Sequence, residues 1–255
     1  ILVADWDRHF DQWRWSTRDT GQGKIYVPIP RDRDQAFFYS DGIIINTVAR
    51  RRLPFLKGYR HDMPKINDLN FVAKDFDRMF LNGIDENDWK ITVNKFISEL
   101  SDAKIDQAIR KMPPEIYAIN GKVITEKLIS RRNLLYEKSL RYYRFISQEV
   151  EVLGSNQNEF FRFSRQNDSL RLVVYSYRKN VDTTFVMYER VFDPRITKEV
   201  RVFGFNGEDR FEIDSGLNSS IRIRMIGGRG NDSFNVHSPL KTFVYDNTNE
   251  KDFFI

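Results

Sequence analysis

The 255-residue chain, 40% apolar and 30% charged, is long enough for one large domain or two ordinary ones, and its 21 Phe, 11 Tyr and 4 Trp exclude wholesale disorder. It has no cysteine, which removes disulfides, thiolate metal sites and cysteine nucleophiles, and no apolar run long enough for a transmembrane helix. The net charge of +5 is uneven, with 15 Lys and Arg against 16 Asp and Glu in residues 148–255, which leaves 26 against 20 in residues 1–147.

The chain opens on Ile1-Leu2-Val3-Ala4-Asp5-Trp6 with neither Met nor a leader pattern, and it reads as a piece of something longer. The first third is irregular with short strands. Among them is Lys24–Pro30, whose prolines suit an edge strand. From about Lys65 to Ser147 the period is helical. Phe71, Phe76, Met79 and Phe80 recur near helical spacing, and Asp88 is placed to cap a helix through Trp89, Val93, Phe96 and Leu100. Asp102–Lys111 gives a further helix, stopped by Met112-Pro113-Pro114. A long amphipathic helix then runs from Val123 to Ile146.

After Ser147 the period switches to 2, with Val150, Val152, Phe161, Phe163, Leu170, Leu172 and Val174 alternating. The expected fold class is therefore α+β. A mainly helical unit over 1–147 precedes an all-β unit over 148–255, built of stacked hairpins as a β-sandwich or a short β-solenoid. An internal repeat supports stacking. Residues 202–213 align with 225–236 at an offset of 23, and residues 152–163 align 50 positions earlier. Each copy reads strand, Gly-bearing turn, acidic residue, strand.

Gly227-Gly228-Arg229-Gly230-Asn231-Asp232-Ser233-Phe234-Asn235 satisfies the nonapeptide of calcium-binding β-rolls, but only once. Calcium needs six or more oxygen ligands. An offset of 23 is expected to hold Asp209 in a different geometry. Calcium at the Gly227–Asp232 turn is disfavoured, and the glycines read as turn-formers. The basic clusters Arg50–Arg52, Arg131–Arg132 and Arg141 with Arg144 lie among acids, without a nucleic-acid motif. They read as a solvated face, and nucleic acid is disfavoured as a partner.

The richest stretch is residues 5–15, Asp-Trp-Asp-Arg-His-Phe-Asp-Gln-Trp-Arg-Trp, followed by Pro28-Ile29-Pro30-Arg31-Asp32-Arg33-Asp34-Gln35. Two carboxylate clusters joined by a strand-like segment are what Mg-dependent phosphoryl transfer requires. One Asp accepts a proton, an amide five residues later helps hold the metal, and a later Asp bridges metal to phosphates. Asp7 and Gln12 have that spacing, and the strand 24–30 is expected to return Asp32 and Asp34 toward Asp7. His9 reads as an orienting residue within the loop.

Asp5-x-Asp7-Arg8-His9 followed by Pro30-x-Asp32-x-Asp34 resembles the catalytic segment of CotH-type atypical kinases. The likeness covers about 140 residues, including closing helices with Arg131-Arg132. The resemblance implies a base role for Asp7, metal binding by Gln12, Asp32 and Asp34, and Mg as the metal. Gln12 stands where that family has Asn. ATP is implied only if an accompanying lobe, with the Gly-rich loop and its Lys, exists outside this chain. More widely, the order of these motifs, then Tyr188-Glu189-Arg190-Val191-Phe192-Asp193-Pro194 and the glycine repeats, resembles the middle of Gram-negative envelope proteins. Those combine a calcineurin-like metallophosphoesterase with a BamA/TamA-type surface-antigen barrel. The expectation is a non-catalytic module of such a protein, with other domains of the parent chain as partners and a degenerate acidic metal site. Its alternative is the C-terminal lobe of a CotH-like kinase.

Overall fold

The computed structural model describes residues 1–21, 24–40, 42–53, 58–178, 181–247 and 253–254. About 33% is helix and 31% strand, an α+β composition with mixed sheets and, among the described residues, no closed barrel. The chain divides into two units: Ile1–Asp77 with Glu86–Phe145, and Arg78–Asp85 with Ile146–Ile255. Arg50 of the basic clusters has a side chain outside the described atoms.

In the first unit a single 3-10 turn, Phe10–Gln12, leads into β1 (Trp13–Asp19), which pairs antiparallel with β2 (Lys24–Pro30), Trp13 lying opposite Pro30. The prolines are tolerated because this ribbon has only two strands, so each strand has an unpaired edge. The helices are α1 (Ile43–Arg51), α2 (Ile66–Leu69), α3 (Lys74–Phe80), α4 (Glu86–Glu99), α5 (Asp102–Ile109) and α6 (Pro114–Ile116). A π turn over Tyr117–Gly121 then continues into α7 (Lys122–Ile146). Ser101 caps α5, its Oγ accepting from the Lys104 backbone at 3.3 Å. Trp13 stacks on Phe76 at 4.8 Å and 4°, and Tyr59, Met63, Ile66, Ile105, Leu128, Leu135 and Tyr142 are buried.

Two local expectations are corrected. Helix α4 begins at Glu86, so Asp88 lies inside its first turn instead of capping it, where its charge favours the helix dipole. Helix α1 forms in a segment read as irregular. Its Ile43-Ile44-Ile45 run carries a strand-like propensity, yet the segment is helical, with the Thr47 hydroxyl bonded back to the Ile43 carbonyl at 2.8 Å.

The second unit is built from β3 (Glu149–Leu153), β4 (Asn158–Gln166), β5 (Ser169–Arg178), β6 (Val181–Phe192), β7 (Glu199–Asn206), β8 (Arg210–Ile213), β9 (Arg222–Arg229), β10 (Ser233–Val236), β11 (Thr242–Tyr245) and β12 (Phe253–Phe254). One sheet has the order β11-β9-β7-β3 and the other β12-β10-β8-β4-β5-β6. Successive strands β3/β4, β7/β8, β9/β10 and β11/β12 therefore alternate between sheets, and like strands pair in parallel. The repeats are not hairpins, as the sequence reading had them. They are coils, because each copy sends its two strands to different sheets. Among the described residues of this unit only β4-β5-β6 are antiparallel neighbours.

The register of this stacking is the register of the repeat. Val202 pairs with Met225 and Arg210 with Ser233, at the offset of 23; Val152 pairs with Val202 and Phe160 with Arg210, at the offset of 50. Identical positions thus fall above one another. Phe161, Phe211 and Phe234 form a stacked column with ring centroids 4.7 and 4.9 Å apart and ring planes nearly parallel, inside a core completed by Val150, Val152, Val200, Val202, Ile223 and Met225. Alternation puts polar residues on the other face of the first sheet. There Glu199, 2% exposed at its side chain, accepts from Arg201 (2.6 Å) and Arg224 (2.9 Å) and is ion-paired with Arg222 (3.1 Å). Burial alone would raise its pKa, but the bonds from Arg201 and Arg224 outweigh that and hold it below the ordinary carboxyl value.

Candidate functional site

The β1–β2 pairing dictates what meets the acidic loop. Because Trp13 lies opposite Pro30, the next residue, Arg31, donates its N–H to the Gln12 carbonyl at 2.8 Å. Residues 31–34 therefore return to the segment that carries Asp7. Arg8 fills the junction. Its Nη1 donates to the carbonyls of Arg31 and Asp32, both at 2.7 Å, and its Nη2 to the carbonyl of Gln12 at 3.0 Å. It also lies 3.5 Å from Asp5 Oδ2, with its guanidinium over the Trp13 ring at 4.8 Å.

The predicted site residues are placed as follows. Asp7 is partly exposed, with Oδ1 3.5 Å from His9 Nε2, while His9 Nδ1 accepts from the Asp11 backbone at 3.3 Å. The bond at Nδ1 leaves the imidazole proton on Nε2, the atom that faces Asp7. Gln12 takes part through its backbone carbonyl, which serves both Arg8 and Arg31. Asp32 is exposed and left-handed (φ 42°), a conformation Asp tolerates, and its Oδ1 accepts from the Asp34 N–H at 3.3 Å. Asp34 is exposed and accepts from Gln35 Nε2 at 3.0 Å. Asp5, which had no assigned role, is the buried acid of the loop. Burial raises its pKa, and Arg8 opposes the rise. Among the described residues no group of three or more His, Asp or Glu is arranged to hold a metal ion.

Comparison with protein-family models, with curated proteins and with solved structures found no match. The geometry of the chain is thus the ground for a functional reading.

A second constellation lies in the β unit. Glu159, Asp209 and Asp232 occupy the same position in three coils, and each is at most 2% exposed. Asp209 Oδ1 accepts the Glu159 N–H at 2.8 Å, and Asp232 Oδ1 accepts the Asp209 N–H at 2.7 Å. In the last coil Asp246 Oδ1 accepts from Gly228 (3.2 Å) and Asn247 (2.9 Å). The expectation that an offset of 23 separates Asp209 from Asp232 is corrected, since parallel pairing sets them one above the other. Glycine makes room for the acids. A Cβ on Gly204 would collide with Asp209 Oδ2, and one on Gly227 with the Oδ2 atoms of Asp232 and Asp246. Burial, then the neighbouring Asp232, Glu159 and Asp246, push the Asp209 carboxyl up to about 8, although the Glu159 N–H pulls the other way. The column is a buried element of the coil core in which Asp209 is held toward its protonated form, and its signal was present in the repeat alignment as one acid per copy.

Proposed function

We propose that the chain is a non-catalytic module of a larger bacterial envelope protein of the surface-antigen and metallophosphoesterase type. In this reading its CotH-kinase-like acidic loop survives as a structural junction. The observation that carries the reading is Arg8, whose guanidinium is held by three backbone carbonyls between the two segments that a kinase-like site would bring together around a metal. Asp32 and Asp34 meanwhile accept hydrogen bonds from within their own turn. A cation bound by four oxygen acceptors and a ring face makes the loop rigid and fixes β2 to the Asp5–His9 segment. The kinase-lobe likeness of the helical unit, the envelope location and the association with other domains of the parent chain belong to the same proposal. So does the comparison of the β unit with a short β-solenoid.

The test is to give the chain Mg-ATP and follow phosphoryl or nucleotidyl transfer, together with its melting temperature in millimolar Mg. No transfer and no Mg-dependent rise are expected. Arg8→Ala should cost about 3 kcal/mol, because three carbonyls lose a charged donor. Transfer that is abolished by Asp7→Asn would overturn the proposal and make the chain a lobe of a CotH-type kinase.

A further inference from the structure

We propose that α1 is an interfacial helix that lays its exposed face on an anionic lipid surface. Its side chains are arranged in the reverse of what a helix packed on a protein core needs. Asn46, partly buried, is turned to the body of the unit, where its Oδ1 accepts from Arg60 Nη2 at 3.4 Å. The apolar residues point the other way, with Ile43 86% exposed, Ile44 79% and Val48 40%. Positions 43, 44, 47, 48 and 51 fall within about 140° of the helix circumference, so they form one face. Its polar member, Thr47, donates its hydroxyl to the Ile43 carbonyl at 2.8 Å and has no need of a donor's partner in solvent.

Exposed isoleucine by itself decides nothing, since Ile91 on α4 is 58% exposed. Charge separates the two helices. Helix α4 carries Glu86, Asp88 and Glu99, whereas residues 42–60 contain no Asp or Glu and hold Arg50, Arg51, Arg52, Lys57 and Arg60. Arg51 lies at the end of the apolar face and Arg52 is the C-cap of α1. Both are exposed, and among the described residues neither guanidinium has an ion pair. By sequence alone Arg50–Arg52 is a solvated face. Beside an outward row of isoleucines, the same cations stand at headgroup height, their aliphatic stems extending the apolar surface. A second copy of the chain would bring like charges together, so charge favours an anionic surface over self-association. Nine residues rise about 14 Å, against roughly 30 Å of hydrocarbon, so α1 lies in the interface and does not span it.

The experiment floats the full chain with vesicles of phosphatidylcholine alone and of phosphatidylcholine with phosphatidylglycerol. Binding to the anionic vesicles is expected, weakened by added salt and near background on phosphatidylcholine. Ile44→Ser should lower the partition about tenfold by removing apolar burial. Arg51→Gln should lower it about fivefold, the share of one cation at an anionic surface. Ile91→Ser on α4 should leave it unchanged. All three side chains are exposed, so far-UV circular dichroism should match the native chain for each variant. No binding to anionic vesicles, equal binding to both compositions, indifference to Ile44→Ser and Arg51→Gln, or an equal loss with Ile91→Ser would overturn the proposal. So would a native chain that is dimeric without lipid and made monomeric by Ile44→Ser, since the face would then belong to a second copy. None of these residues belongs to the Arg8 junction, so failure here leaves that reading untouched.

Discussion

Asp209→Asn tests the buried acidic column directly. The Asp209 carboxyl is 2% exposed and titrates at about 8 in the folded chain, against an ordinary carboxyl value near 4. Between those two values the folded state keeps a proton that the unfolded state has released. Stability is therefore fully present below about pH 4 and falls as pH rises toward 8. Each pH unit removes about 1.4 kcal/mol, on the order of 5 kcal/mol in all. The groups facing Asp209 are Glu159 on β4, Asp232 and Asp246, all acidic, so none supplies a charge that would oppose the loss.

Asparagine imitates the protonated acid. Its Oδ1 can still accept the Glu159 N–H, and its amide stays neutral at every pH. The variant should match the native chain near pH 5 and exceed it by several kcal/mol near pH 8. The assay is denaturant unfolding across that range, read by far-UV circular dichroism. All four tryptophans, Trp6, Trp13, Trp15 and Trp89, lie in the first unit, so tryptophan fluorescence is an internal control that should not acquire the same slope. A native chain whose second unit is indifferent to pH between 5 and 8 would refute the reasoning. So would an Asp209→Asn variant that keeps the full slope, since the proton would then belong to another acid of the column.

Three further outcomes follow from the same kind of geometry. Glu199→Gln leaves Arg201, Arg222 and Arg224 around a neutral amide, and it should cost about 3 kcal/mol by denaturant unfolding, a cost that shrinks as pH falls through the depressed folded pKa of Glu199. Gly227→Ala drives a methyl into the Oδ2 atoms of Asp232 and Asp246, and it should lower the melting temperature of the second unit while sparing the tryptophan signal. Arg131→Lys keeps a charge but loses the planar fork that reaches four carbonyls, and should cost about 3 kcal/mol, seen in tryptophan fluorescence.

The helical and strand stretches were legible because their periods differ. Trp89, Val93, Phe96 and Leu100 recur every three or four residues, whereas Val150, Val152, Phe161 and Phe163 alternate. Helix α1 escaped because β-branched Ile43-Ile44-Ile45 argues for a strand by local propensity. At the acidic loop the strand 24–30 returns the chain to the first segment, where the Arg31 N–H meets the Gln12 carbonyl. What could not be read was the direction in which Arg8 points. An arginine beside two aspartates is equally compatible with an ion pair at the surface and with a guanidinium that takes backbone carbonyls, and the choice is set by the β1–β2 register.

The acidic column is the more instructive case, because its members were in view and its meaning was lost through one assumption. Measured against a nine-residue calcium coil, an offset of 23 implies a different geometry for Asp209 than for Asp232. A parallel coil does not require a fixed repeat length. It requires only that each copy return to the same register, so insertions of any size can sit between copies. The β5–β6 hairpin does this between the first and second coils, where the offset is 50 in place of 23. Once register is kept, like stacks on like. For Phe161, Phe211 and Phe234 that is favourable at every step. For Glu159, Asp209 and Asp232 it gathers carboxyl groups in a dry column, where like charges cannot all persist, and the conflict is met by a raised Asp209 pKa and by a backbone N–H given to one oxygen of each acid. One register therefore produces both the aromatic stack and, two positions earlier in each copy, the acidic column.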